Sequence, residues 1–331
     1  MPFLPSEFKD FILPDCNRRL FLEEALRKSA LDFYPITIGS CVHLCVQFPS
    51  ASYNSLFKVK TVLVHYDRAQ GEDGSFITPG ANDNSAAVFQ VLAFARRLRN
   101  GLLIPGGGAH NMRLIFTDGE ELGGFVSEDS SSAAVQGAFG LASLFKKLGI
   151  TNDEVYVLDG CGRGDVLAVS TAGKNSKASS GFVKRFDNLY EHTCALAKEA
   201  SSGNWISVPV PYGDNAGFLA CGIPAVALTV LPSDEASVYM RELQRDKNFE
   251  RAVMNRGVAA HGAGFLYDIN SAAGLRRAGI DPAEALLLSE KLPRTWRMMH
   301  TQFDDEASLT AQAFKIMEKF LNLLALSRHC A

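Results

Sequence analysis

Apolar and polar positions alternate between two periods along most of the chain. Residues 17–31 (NRRLFLEEALRKSAL) set Leu20, Leu22, Ala25 and Leu26 between charges at helical intervals, which predicts an amphipathic helix. Two strand-like runs follow, CVHLCVQFP at 41–49 and KVKTVLVH at 58–65. The second turns wholly apolar through TVLV, as a strand covered on both faces does. A Gly- and Asp-rich loop, RAQGEDGSFITPGAND, leads to a helix over 84–99 whose Val88, Phe89, Val91, Leu92 and Phe94 leave little polar surface. Asp83 or Asn84 suits its N-cap, because either side chain can accept a first-turn N–H.

The alternation then repeats. NMRLIFTD reads as a strand, AFGLASLFKKLG as a helix closed by glycine, DEVYVLD and DVLAVST as strands, 183–201 as a helix and IPAVALTVL as a strand, with a final helix at about 306–327. This order predicts an α/β fold with a mostly parallel mixed sheet flanked by helices on both faces. Ligands of such folds sit beyond the C-terminal ends of the strands. A chain of 331 residues, 47% hydrophobic, can bury one core over residues 1–331. Residues 232–295 break the rhythm, charged and helical in pattern, and read as a helical insertion or cap within that single domain.

The formal net charge of -3, with no Lys/Arg block, argues against a nucleic-acid groove or a polybasic membrane patch. No run approaches the roughly 18 apolar residues of a membrane span. The start MPFLPSEFKDF mixes prolines and acids where a signal peptide needs a basic start and an apolar run. The seven cysteines are scattered and odd in number, which fits reduced thiols in the cytoplasm better than a disulfide framework. Cys41, His43 and Cys45 share one strand face, as a metal site or, the favoured reading, as part of a half-buried strand. Oligomeric state is not legible.

The strand ends carry the chemistry. TVLV ends in His65-Tyr66-Asp67, LIFT in Asp118-Gly119-Glu120-Glu121 and VYVL in Asp159-Gly160; Gly80-Ala81-Asn82-Asp83-Asn84 precedes the apolar helix, and His300-Thr301 with Asp304 and Asp305 precedes the last one. A parallel sheet aims such residues at one pocket, where crowded carboxylates repel one another unless cations neutralise them. Asp83, Glu121 and Asp159 with a bridging hydroxide balance two zinc ions, and His65 and His300 are neutral nitrogen donors that zinc accepts. His110, His192, His261 and His329 have no matching context and read as surface or packing residues. Asp214 reads as a helix cap or loop anchor, and Trp205 and Trp296 as pocket or core residues.

In this order, His65-x-Asp67, GANDN, DGEE, Asp159 and His300-Thr301 with a downstream Asp resemble metallopeptidase family 28, the co-catalytic zinc aminopeptidases with glutaminyl cyclases as a branch. The resemblance spans about residues 58–325, and GDNAGFLACGIPAVAL at 213–228 is similar to a family segment too. It implies a phosphorylase/hydrolase-like zinc exopeptidase architecture with two zinc ions per chain. Asp83 would bridge them, one taking His65 and Asp159, the other Glu121 and His300. Glu120 would be the general base toward a metal-activated water, Asp67 would orient His65, and Asp304 would do the same near His300.

The implied reaction is removal of N-terminal residues from a peptide or small amide substrate. Two alternatives stand beside it: a glutaminyl cyclase-type acyltransferase with a single zinc on Asp83, Glu121 and His300, and a non-catalytic peptide-binding relative. GANDN favours the peptidase over the cyclase, and Glu120 favours catalysis. The chain departs from the family pattern at Ser85-Ala86-Ala87, which is expected to change packing alone, and at the polar, glycine-rich GCGRGD after Asp159.

Overall fold

A computed structural model of the chain describes residues 3–69, 77–103, 108–121, 137–174, 178–211, 213–247, 249, 253 and 290–329. Its strands are β1 (Asp32–Ile38), β2 (Cys41–Gln47), β3 (Lys60–His65), β4 (Met112–Thr117), β5 (Glu154–Leu158), β6 (Val166–Ser170), β7 (Trp205–Val208) and β8 (Ala225–Leu231). They form one eight-stranded sheet in the order β1-β2-β4-β3-β5-β8-β6-β7. Strands β4, β3, β5 and β8 run parallel, so their C-terminal ends share one edge. Strands β1 and β2 add antiparallel at one side; β6 reverses against β8, with β7 parallel to it. The sheet is the mostly parallel mixed one that the sequence predicts.

Strand β3 is buried at every position because both faces are covered. Val62 and Val64 pack with α1 (Phe8–Ile12), α2 (Arg18–Lys28), α3 (Ala86–Arg99), α5 (Ser180–Ala200) and α9 (Ala311–Leu326). Leu63, pointing the other way as a pleat requires, packs with α4 (Gly137–Lys147) and α6 (Asn215–Ala220). Helices α7 (Ser233–Arg245) and α8 (Arg294–Met298) bury Tyr239 and Trp296 against β6, β7 and β8. Trp296 is thus a core residue, edge-on to Tyr239 at 5.0 Å, and Trp205 packs half-buried on the first face. Among the described residues, no helix is long and apolar enough to cross a membrane.

Several elements differ from the sequence reading. Helix α2 buries Arg18, Leu22 and Leu26, while Leu20 is 53% exposed; an arginine occupies the inward position one turn before Leu22. Neither Asp83 nor Asn84 caps α3, which begins at Ala86 after an irregular turn over Ala81–Ser85 in which both have non-helical dihedrals. The last helix starts at Ala311 behind its Thr310 cap, not near 306. Strand β1 escapes the periodicity reading because it is an exposed edge that also accommodates Pro35. Strand β2 is buried on both faces through most of its length rather than half-buried. The start of α4 lies over His43, so that a side chain on Gly137 would touch its ring. Of 232–295, residues 232–247, 249, 253 and 290–295 are described; residues 248, 250–252 and 254–289 lie outside the described residues, as does His261.

Candidate active site

The parallel edge collects the acids and imidazoles. His65 is the last residue of β3, Glu120 and Glu121 follow β4, and Asp159 follows β5. The Ala81–Ser85 turn supplies Asp83, and His300 projects from the loop after α8 with a left-handed φ of 62°. Asp83 stands between two groups. Its Oδ1 lies 3.1 Å from His65 Nε2, which is 3.7 Å from Asp159 Oδ1. Its Oδ2 lies 3.2 Å from His300 Nε2, which is 3.1 Å from Glu121 Oε2.

These contacts are close but are not all hydrogen bonds. Both ring nitrogens of His65, Glu121 Oε1 and Asp159 Oδ1 are buried without a hydrogen-bond partner. Buried polar atoms are seldom left so, and lone pairs converging from nitrogen and carboxylate oxygen fit a divalent cation of the N/O-binding kind. His65, Asp83 and Glu121 bring one ligand atom each within 4.8 Å of one another. The residues present therefore fit a divalent cation beside Asp83.

Neighbouring groups hold this arrangement. Asp67 places Oδ1 3.5 Å from His65 Nδ1, and its Oδ2 accepts the Glu121 N–H at 3.0 Å. Asp304 accepts the N–H groups of Asn82 and Asp83 at 2.8 and 2.9 Å; it braces the Asp83 turn, whereas the sequence reading set it beside His300. Asn84 donates to Leu158 O at 2.7 Å and Asn82 accepts from Gly162 N at 2.7 Å, tying the turn to the end of β5 and the loop beyond. Asp118 is spent elsewhere, accepting the Val42 N–H at 2.9 Å.

Asp214 makes no side-chain cap; it is buried, accepts the Thr117 hydroxyl and leaves Oδ1 unpaired. Beside it, a Cβ on Gly213 would come within 2.9 Å of Asp159 Oδ2 and 3.6 Å of Glu120 Oε1. The glycine keeps that space open.

Charge crowding shows in the acidities. Burial pushes Glu120 well up, with Glu121, Asp159 and Asp214 adding to it and His65 opposing. Burial also lifts Glu121 to about 7, Asp214 to about 6 and, helped by Asp83, Asp304 to about 7. Asp83 stays below the carboxylate range because His300 and His65 outweigh its burial. His65 is held well above the usual imidazole value, Asp159, Asp67 and Asp83 overcoming its burial. Metal-free, the carboxylates compete for a few protons; a divalent cation removes that competition.

A second grouping, Glu154, His192 and His329, sits at the opposite edge of the sheet and differs in kind. Its atoms have partners: Glu154 takes His329 Nδ1 at 2.7 Å and the Tyr156 hydroxyl at 3.0 Å, and His192 Nε2 meets Ser327 Oγ at 3.3 Å. Lys58 stands 3.9 Å from the same Glu154 oxygen. Satisfied donors beside a lysine make a packing network.

Geometry and topology together define an α/β fold with a candidate metal site at the parallel edge of its sheet. The sequence profile of peptidase family M28 matches residues 58–324. The chain belongs to that family. Among solved structures it is similar to a Zn-dependent exopeptidase from Parabacteroides distasonis (16% identity, 98% of this chain and 95% of that one, TM-score 0.57). It is also similar to a leucine aminopeptidase precursor from Bacteroides thetaiotaomicron (13%, 98% and 94%, 0.59). A glutaminyl cyclase from an Acidobacteriales bacterium shares the fold too (13%, 96% and 91%, 0.54). Comparison with curated proteins finds no match.

Proposed function

We propose that this protein is a cytoplasmic zinc aminopeptidase that removes N-terminal residues from peptides or small amides. One observation carries the reading: each oxygen of Asp83 faces its own histidine, each histidine paired with a further carboxylate. One zinc would be held by His65, Asp159 and Asp83, the other by Glu121, His300 and Asp83. Bound zinc supplies Lewis acidity toward a scissile carbonyl and toward water.

The chain's own groups do the rest. The Glu120 carboxylate takes a proton from the attacking water and returns it to the departing amine. Asp67, 3.5 Å from His65 Nδ1, would orient that ring, and it holds the position of Glu121 through its backbone N–H. Asp304 fixes the Asp83 turn. The described cysteines are all free thiols, in keeping with a reducing cytoplasm. Residues 1–331 would form one domain, with 232–295 as a cap near the cleft. A cyclase reading, with zinc on Asp83, Glu121 and His300 alone, gives no task to the unpaired nitrogens of His65 or to Asp159.

The test is to assay zinc-loaded protein on aminoacyl fluorogenic substrates and on Gln-peptides, with Glu120→Gln beside it. Free amino acid release, abolished in Glu120→Gln at unchanged metal content, is expected. Pyroglutamate formation, or turnover that survives the substitution, overturns the proposal.

A further inference from the structure

Arg18 lies before the stretch that the family profile matches, on the first turn of α2, yet it is 5% exposed. Its guanidinium reaches into the catalytic edge. Nη1 donates to the carbonyls of Tyr66 and Asp67 at 3.2 and 3.0 Å, and Nη2 to those of Pro79 and Gly80 at 2.7 and 3.4 Å and to Ser85 Oγ at 2.9 Å. The first pair belongs to the segment that carries His65 and Asp67. The second set brackets the turn that carries Asp83. One planar fork thus spans both loops, a geometry that a lysine ammonium cannot reproduce.

The surroundings are shaped around it. Gly80 has a φ of 57°, and a Cβ there would fall 3.0 Å from Arg18 Nη2 and 2.5 Å from Asp83 O. Ser85 receives the fork and passes a hydrogen bond to Gly80 O at 2.6 Å, so the departure at Ser85-Ala86-Ala87 adds a polar tie to its packing. The Phe11 ring covers the guanidinium at 4.8 Å. Arg68 answers in the other direction: it donates to the carbonyls of Ile12, Pro14 and Cys16 at 3.3, 3.2 and 3.0 Å, binding the N-terminal segment to the loop after β3.

We infer that Arg18 is a positioning residue of the metal centre: its fork fixes the separation of the His65–Asp67 segment from the Asp83 turn, and with it the spacing of the ligands. The N-terminal segment is therefore a working part of the site. This rests on the metal-centre reading above.

The test compares wild type, Arg18→Lys, Ser85→Ala and a stability control, Phe186→Leu, in the α5 core. Zinc affinity of the chelator-stripped proteins is measured by calorimetry well below each melting temperature, and kcat and KM are measured on the loaded forms. Arg18→Lys is expected to weaken zinc binding about 10–100-fold, the range for groups that orient ligands, and to lower kcat more than it raises KM. Ser85→Ala is expected to weaken binding at least about threefold in the same direction, and it decides the matter if Arg18→Lys does not fold. Phe186→Leu is expected to lose stability with zinc affinity unchanged. Zinc affinity in Arg18→Lys or in Ser85→Ala equal to that of the control overturns the inference. Failure of wild type itself to bind zinc overturns the metal-centre reading instead.

Discussion

His43 and His110 are both buried, and each uses Nδ1 as an acceptor: His43 for the N–H of Asp118 at 3.2 Å, His110 for that of Met112 at 3.0 Å. Protonation would set N–H against N–H. Burial accordingly lowers both to about 4 from an ordinary value of 6.5. Between those values the unfolded chain binds more protons than the folded one, so stability rises with pH through this window and is lost on acidification from 6.5 toward 4. His110→Gln, which cannot charge, is expected to lose less over that interval, by on the order of 2 kcal/mol. Thermal melts of both proteins from pH 7 to 4 check it; parallel curves contradict it. At the site, Asp304→Asn turns an amide N–H toward the N–H groups of Asn82 or Asp83, and about 10–100-fold weaker zinc binding is expected by chelator competition. The convergence of His65, Asp83, Glu120, Glu121, Asp159 and His300 on one edge was legible because acids and imidazoles next to apolar strands are conspicuous. Arg18 was not, since an arginine among helix charges reads as solvated; Asp304 was read as a site residue, but the turn it braces was not, because a contact with a distant backbone leaves no local pattern.

At the scale of elements, Lys60 opens β3 at the end remote from His65, roughly 17 Å away at about 3.3 Å per residue. It is buried, and its ammonium caps α9, meeting the carbonyls of Leu324, Ala325 and Ser327 at 2.8, 3.4 and 2.6 Å. A cation suits that end of the helix dipole. Lys60→Met leaves those carbonyls without the donor, and a loss of about 1–3 kcal/mol is expected in chemical denaturation, with kcat and zinc content at 25 °C unchanged. A change in zinc content would mean that the two ends of β3 are coupled. The long apolar strands and helices announced themselves through their periods. Strand β1 did not, because an edge strand with Pro35 buries little, nor did short α1, α6 and α8, which have too few turns to show a period.

Over the whole molecule, four parallel strands set their C-terminal ends together while β6 reverses against β8. The polar GCGRGD loop after Asp159 joins β5 to β6 and ties both to α7, α8 and the start of α9. Arg163 donates to Glu235 of α7 at 2.9 Å and to Thr295 of α8 at 3.0 Å, and Gly164 N to Thr310 Oγ1 at 2.9 Å. The unusual composition there reflects this stitching, which sequence periodicity cannot register. The proposed metal centre lies at the parallel edge, around Asp83. Zinc-edge anomalous diffraction from crystals of the zinc-loaded protein addresses it directly: two peaks are expected, one beside each oxygen of Asp83. A single peak on the Glu121–His300 side, or none near Asp83, contradicts the account.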